Sequence, residues 1–552
     1  MAKTKEQNTG RIRKIYQSDR NYKNLKCYFE ECTSNSSLHG VRYLGEKNRT
    51  LAEKIGWLIM ILTSMIICGY FVHQTYKKWE TTPILVTVGT TQLPIQYVPF
   101  PAVTICPAIK VRKDLVEILN KFDRSYNGTP ALDEIKAFKH AQMWCQYIDG
   151  SQFRRTFKLQ ETYSLKDLDF IYENTPSIEE NFKTCFWSGL RQNCSKIFTP
   201  IFTEEGVCYT FNSLDRLSLF EEGVLKYKHF NKAKNATCYD DYKTSCTETY
   251  PYRTTPGAEA GLEVVMRIST DNKNPCMNSG KGHKVMIHQS SELPSTRYNF
   301  FYVPLTDSVT VALTPQLITT DSSLKSYKVN QRKCYYDDEK NLTHFRYYTQ
   351  TNCETECYVY AMQIYKNCSD FYMPHIHEDT RICNASISQW MKTWGHHIKN
   401  YLAGVNINIP SSAVDLLNDI RVPPEAKDAC TCLPSCKSLK YNTEITQTDY
   451  DEYNKQSADR NKTTVKYSLL SIYFKDAEFI PYERKEMFGL MDFVAYCGGL
   501  LGLFIGFSFI ALLEVVYFIC FRPLFNIYLF GKKYWAGYQT GGDPKLSEAE
   551  SN

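Results

Sequence analysis

Long apolar runs are scarce in this chain of 552 residues, whose mean hydropathy is −0.40, and none is sustained between Lys77 and Gly489. That scarcity excludes a polytopic transporter, whose mean would be far higher. Internal repeats and low-complexity tracts are missing too, and 14% aromatic with 22% charged residues is not the composition of a disordered chain. Met1 to Arg49 is polar and basic without an apolar core, so no secretory signal opens the sequence and export falls to an internal hydrophobic segment. Nucleophile elbow, phosphate loop and His-Glu-x-x-His are all lacking, which leaves an enzyme reading little to hold. The His375-Ile-His377-Glu378-Asp379 cluster reads as a solvated turn and not as a metal site.

What the sequence does have is cysteine, 21 residues of it, too many for a cytosolic enzyme of this size. It also has two apolar segments. Ile55 to Tyr76 contains no Lys, Arg, Asp or Glu, close to the ~20 residues that cross hydrocarbon as a helix. Phe493 to Phe521 carries one charge, Glu514, and is longer than a bilayer core requires, so it must tilt, protrude or break. Residues 1–52 hold 11 Lys+Arg against 5 Asp+Glu, residues 522–552 hold 4 against 3, and the region between the spans is neutral. Both ends are therefore expected on the cytoplasmic side. The basic N-terminus is explained by this rule, with anionic lipid contact, and not by nucleic acid.

Cysteine placement tests the topology independently. Cys27 and Cys32 precede the first span, Cys68, Cys497 and Cys520 lie in or beside spans, and 16 lie outside, an even number that permits eight disulfides. Seven glycosylation sequons fall in the same region, at Asn127, Asn193, Asn235, Asn341, Asn367, Asn384 and Asn461. About 410 residues suffice for a real core there. Alternating stretches at Gly261–Ile268, Lys284–His288 and Val465–Phe474 read as strands. Cys353 and Cys357, four apart in a helical stretch, with Trp390–Tyr401 as a second helix and Cys430-x-Cys432-Leu-Pro-x-Cys436 behind them, read as a disulfide-stapled lever.

Four tracts, in order, resemble the signatures of the epithelial sodium channel/degenerin/acid-sensing ion channel family, most closely its insect pickpocket branch. They are Phe100-Pro-Ala-Val-Thr-Ile-Cys106, Gly206-Val-Cys-Tyr-Thr-Phe-Asn212, Cys430-x-Cys-Leu-Pro-x-Cys436 and Gly498-Gly-Leu-Leu-Gly-Leu-Phe-Ile-Gly-Phe-Ser508. The resemblance runs from His39-Gly40 to Glu514. It implies a membrane α+β trimer with two transmembrane helices flanking a disulfide-rich ectodomain of palm, β-ball, knuckle, finger and thumb. In this chain that means a cytoplasmic N-terminus over 1–54, a first span over 55–76, an extracellular region over 77–490 with the thumb at about 334–436, a second span and pore over 491–521, and a cytoplasmic tail over 522–552.

The same resemblance implies the disulfides Cys106–Cys208, Cys185–Cys194, Cys334–Cys436, Cys353–Cys432 and Cys357–Cys430. Where acid-sensing members have two further thumb bridges, this chain offers only Cys368 and Cys383, which are expected to join each other. Cys145, Cys238, Cys246 and Cys276 remain, with three pairings open and the 238/246 loop the shortest closure.

A pore helix must offer oxygens to a partly dehydrated cation, and small residues let helices approach and expose carbonyls. Gly498, Gly499, Gly502 and Gly506 supply such a surface, although glycines at this spacing also simply pack helices. Gly506-Phe507-Ser508 resembles the family's Gly-x-Ser selectivity tract, with Phe507 departing from its small middle residue. Glu514 inside the span costs at least ~2.5 kcal/mol if left unpaired, so water, a cation or a partner must face it. Asp492 adds an outer carboxylate, Tyr496 stands where acid-sensing channels carry an outer-pore Asp, Ala495 resembles the degenerin position, and His39-Gly40 resembles the cytoplasmic gating pair. The expected activity is an amiloride-sensitive, sodium-selective or cation channel of the plasma membrane. Na⁺ is its permeant ion, no cofactor or metal takes part, related subunits complete a homo- or heterotrimer, and an extracellular chemical or mechanical stimulus gates it in sensory or epithelial cells. The alternatives are an ATP-gated-type cation channel, which needs a basic palm, and a two-span non-channel receptor.

Overall fold

The computed structural model describes residues 25–81, 84–122, 130–145, 162–225, 250–269, 276, 282–297, 299–404, 424–450 and 465–537. Asn127, Asn235, Asn461, Cys238 and Cys246 lie outside the described residues. The chain divides into two compact units, Val86–Lys485 and the two ends, Met1–Leu85 with Glu486–Asn552.

The strands of three or more residues are β1 (Ile84–Val88), β2 (Ala102–Cys106), β3 (Phe182–Trp187), β4 (Leu190–Gln192), β5 (Phe198–Thr203), β6 (Gly206–Phe211) and β7 (Leu262–Ser269). They continue with β8 (Gly282–His288), β9 (Phe300–Pro304), β10 (Asp307–Thr320), β11 (Ser438–Asp449), β12 (Val465–Phe474) and β13 (Tyr482–Glu486). One sheet runs β1-β13-β10-β12-β7-β3-β4 with β11 added on β10, and a second runs β9-β8-β2-β6-β5. Burial alternates along β10 and β12, so one face of the larger sheet enters the core while the other stays wetter. Strand β2 is buried throughout because it lies inside the second sheet, between β8 and β6.

Two of the four signature tracts are neighbours here. β2 pairs antiparallel with β6 in a register that sets Val103 against Phe211 and Ile105 against Tyr209, so the next pair is Cys106 with Cys208, which are bonded. At the other end of the pair Asn212, in a left-handed conformation, donates from Nδ2 to Phe100 O at 2.5 Å and accepts from Tyr252 N at 2.6 Å.

The helical lobe is built on Gln350–Lys366, capped by the Thr349 hydroxyl, and Ala385–Leu402, capped by the Asn384 side chain. Cys353 and Cys357 lie one turn apart on one face and are bonded to Cys432 and Cys430. Cys334–Cys436 and Cys368–Cys383 close the lobe, Cys185–Cys194 joins β3 to the start of the helix before β5, and Cys145 is bonded to Cys276. Of the described sequon residues Asn193, Asn341 and Asn367 are exposed. Asn384 is 8% exposed and its Oδ1 accepts from Ile387 N at 3.0 Å, so a glycan there displaces a helix cap.

The unit made of the two ends holds a 31-residue helix, Leu51–Thr81, with mean hydropathy 2.2 over its apolar window. Its length of ~46 Å exceeds a hydrocarbon core. The second apolar segment is not one helix. It runs as Leu490–Ile505, then Phe509–Val516, a π-turn at Tyr517–Phe521, and Arg522–Phe530. Trp79 stacks on Phe493 at 5.4 Å and Phe71 on Phe504 at 6.0 Å, which packs the first helix along the first part of the second.

Candidate functional site

The break in the second apolar segment has local causes. Gly506 ends the first helix at φ +68°, where a side chain is strained by about 1–3 kcal/mol, and its N–H bonds Gly502 O at 3.0 Å. Ser508 starts the next helix as N-cap, its Oγ accepting from Ala511 N at 3.1 Å. A helix stop directly followed by a helix start leaves the Gly506 and Phe507 carbonyls without a hydrogen-bond donor among the described residues. In an apolar span such groups need protein, water or a cation.

The segment before the first helix packs under this break. His39 N donates to Ile505 O at 3.0 Å, and a Cβ added to Gly506 would run into the His39 ring. Gly40, at φ +81°, turns the chain against Trp57 and Ile61 of the first helix. Ser37 N donates to Glu514 Oε2 at 3.1 Å, across 477 residues of sequence, so part of what faces this carboxylate is the chain's own backbone. The sequence gives no sign of three further contacts. Ser64 Oγ donates to Phe504 O at 2.7 Å, Tyr28 OH to Phe518 O at 2.6 Å within the π-turn, and Arg522 pairs with Glu31. Pro523 has no N–H to offer Phe518 O, five residues back in the π-turn, and Tyr28 supplies the donor.

The remaining candidates are spread along the first part of the segment. Asp492 accepts from Gly489 N at 3.0 Å and so stabilises the helix start. Ala495 and Tyr496 are exposed, Tyr496 with its ring 5.3 Å from Phe488. A Cβ on Gly498 or Gly499 would meet nothing within 4 Å, and on Gly502 only Phe507 O at 3.9 Å. Packing within one chain therefore does not require these three glycines.

Residues 32–518 match the family model described as amiloride-sensitive sodium channel. The chain belongs to the amiloride-sensitive sodium channel family. It is similar to Pickpocket protein 28 of Drosophila melanogaster, 24% identical over 89% of this chain and 77% of that protein. Sodium channel protein Nach of the same species is 21% identical over 90% and 87%, and Acid-sensing ion channel 4-B of Danio rerio 22% over 88% and 74%. A solved structure, the cryo-EM structure of a proton-activated chloride channel, matches with TM-score 0.27 and 7% identity over 84% of this chain and 95% of that one, too distant to bear on fold or ion. As a member of the amiloride-sensitive sodium channel family with two long apolar helices, the chain is a membrane protein with two spans.

One sequence reading is corrected by the fold. His377 is exposed as a turn residue should be, but His375 is 2% exposed, and neither ring nitrogen has a hydrogen-bond partner. Leu225 N binds its carbonyl at 2.8 Å and draws the loop inward. Among the described residues no group of three or more His, Cys, Asp or Glu side chains has a metal-binding arrangement. Burial, with Arg216 and His344 adding repulsion, pushes the imidazole down to about 3. A histidine near 6.5 when unfolded and near 3 when folded contributes stability that is complete above pH 6.5 and is lost as pH falls toward 3, by at most ~1.4 kcal/mol per pH unit. His375→Leu is accordingly expected to reduce the fall in thermal midpoint between pH 7.5 and pH 5. Parallel curves for the two proteins would refute that assignment.

Proposed function

We propose that the chain is a subunit of a trimeric, sodium-permeable, amiloride-sensitive cation channel of the plasma membrane, with both termini cytoplasmic. The observation that carries this reading is the helix break, which leaves two carbonyls inside an apolar span without a donor among the described residues. Three copies arranged about an axis turn Gly506, Phe507 and Ser508 into a ring of carbonyl and hydroxyl oxygens able to replace the water of a Na⁺ ion. Gly498, Gly499 and Gly502, open in one chain, then face other subunits or the ion path. Glu514 forms an inner carboxylate ring beneath, and Asp492 an outer one. His39 and Gly40, under the break, couple the cytoplasmic segment to the gate.

Related subunits complete a homo- or heterotrimer, and Asn193, Asn341 and Asn367 carry glycans in preference to Asn384. An extracellular chemical or mechanical stimulus opens the channel. The test is whole-cell current from this chain alone and with related subunits, in the presence of Ala495→Phe, which is expected to hold the gate open. Inward current that disappears when sodium is replaced by a large organic cation, and that amiloride blocks, is the expected result. Absence of current from surface-expressed Ala495→Phe, alone and co-expressed, together with lipoprotein uptake, would establish the two-span receptor instead; current evoked by ATP would establish the ATP-gated alternative.

A further inference from the structure

The last strand of the larger sheet in chain order, β13, leads into the second apolar segment and carries an arginine without an acceptor. Arg484 is half-buried, its Nη1 is shielded from solvent, and its side chain makes no hydrogen bond or ion pair among the described residues. Burial alone shifts its pKa, downward. A guanidinium has five N–H donors and keeps its proton, so shielding it unpaired is costly. The carboxylates beside it in the chain and in the sheet are spent elsewhere. Glu483 lies on the opposite face of β13 and pairs with Lys485 at 2.8 Å. Asp321, whose N–H bonds Arg484 O at 2.9 Å, accepts from Ser323 N at 2.8 Å.

Strand register sets what surrounds Arg484. β10 buries Val309, Val311, Leu313 and Leu317, so Ile318 and Thr320 fall on its other face. β13 runs parallel beside it, with Ile318 opposite Tyr482 and Thr320 opposite Arg484, and opposite residues share a face. The Thr320 hydroxyl donates to Cys436 O at 2.6 Å. On the far side of β13, Gly89 N donates to Pro481 O at 2.7 Å and the Thr87 hydroxyl to Glu483 O at 3.2 Å. These bonds align β1 antiparallel to β13, with Val88 beside Tyr482 and Val86 beside Arg484. Val86 is 48% and Val88 60% exposed. The patch thus holds two uncovered valines, an isoleucine, a tyrosine and an unpaired arginine. Tyrosine and arginine among apolar side chains are the composition of an interface centre and not of a water-facing sheet.

We propose that a second copy of the chain covers this patch and supplies the oxygen acceptor that Arg484 lacks. Three residues, Met487–Gly489, join β13 to the helix that begins at Leu490, a tether of at most ~14 Å. Copies whose helices line one ion path are therefore tethered with these sheet ends in reach of one another. The inference rests on the multi-subunit part of the proposed function and not on the permeant ion, so it is tested by assembly and not by current.

In the test, Val88 is replaced by the photocrosslinker p-benzoylphenylalanine in the full-length chain, co-expressed with an unaltered copy bearing a different tag. Illumination is expected to give a covalent pair that carries both tags. Arg484→Gln should raise at least tenfold the concentration at which the detergent-purified assembly half-dissociates, because it leaves the acceptor on the other copy unpaired. Arg484→Lys should recover part of that loss. The separated Arg484→Gln chain should keep or raise its thermal midpoint, since an uncompensated charge has left a half-buried site. A lower midpoint would make the arginine a support within its own chain and overturn the proposal. Crosslinks that never carry both tags overturn it too, as does a wild-type assembly that loosens when gluconate replaces chloride, which would make a free anion the acceptor. A stable assembly indifferent to Arg484→Gln removes only the role of this residue, whereas a wild-type chain that stays single at the cell surface removes the multi-subunit reading with it.

Discussion

Gly506→Val is expected to abolish current from the Ala495→Phe chain while leaving its amount at the cell surface unchanged. Two independent penalties fall on the same atom. The backbone at Gly506 has φ +68°, which a β-branched residue adopts only at about 1–3 kcal/mol, and the new Cβ would occupy the space of the His39 ring. Relief is available only by straightening the segment into one helix, which would give Gly506 O and Phe507 O intrahelical partners and remove them from the proposed ion path. At ~1.4 kcal/mol per tenfold, the backbone strain alone lowers the ratio of broken to straight form by about 5- to 150-fold, and the clash with the His39 ring lowers it further. Combining the change with His39→Gly separates the causes, since it removes the contact but not the backbone strain, and partial recovery is expected. Gly506→Val with undiminished current per surface channel would mean that the break is not needed for conduction.

Arg297→Met is expected to be the most destabilising single change in the central unit, by about 3–5 kcal/mol. Arg297 Nε bonds Glu204 Oε1 at 2.6 Å, its guanidinium lies 4.1 Å over the Tyr358 ring, and Tyr372 OH is 3.3 Å away. Glu204 is 8% exposed and also accepts from the Thr296 hydroxyl. Next to it Glu205, held down to about 2, is paired with Lys110 and Lys284, whose attraction outweighs burial. Removing the guanidinium strands the Glu204 carboxylate in this low-dielectric site, and this accounts for most of the loss. Arg297→Met with Glu204→Gln removes both charges of the pair and should recover more than half of it, as read by thermal midpoint and by exchange in Gln350–Lys366, where Tyr358 sits. A double variant no more stable than Arg297→Met would place the stabilisation in packing.

Much of the fold was legible because it rests on local pattern. The runs beginning at Gly261, Lys284 and Val465 correspond to β7, β8 and β12; burial alternates along β12, as a half-buried strand demands, whereas β8 lies between β9 and β2 and is buried almost throughout. Four-residue spacing set Cys353 and Cys357 on one helix face. His375 was misread for a matching reason. A His-x-His in a polar loop carries no local sign of burial, and the segment that bonds its backbone, at Leu225, lies 150 residues earlier in the chain.

The sequence by itself determined the two apolar segments, the single intramembrane carboxylate, the family signatures and an even number of cysteines between the spans, all properties of composition and short-range order. Only the tertiary structure decided that the second segment is interrupted at Gly506, that His39 and Ser37 reach the interruption and Glu514, and that His375 is buried. A glycine's φ, a histidine's burial and a contact across 477 residues depend on which distant groups fill the surrounding space, and local sequence does not encode that.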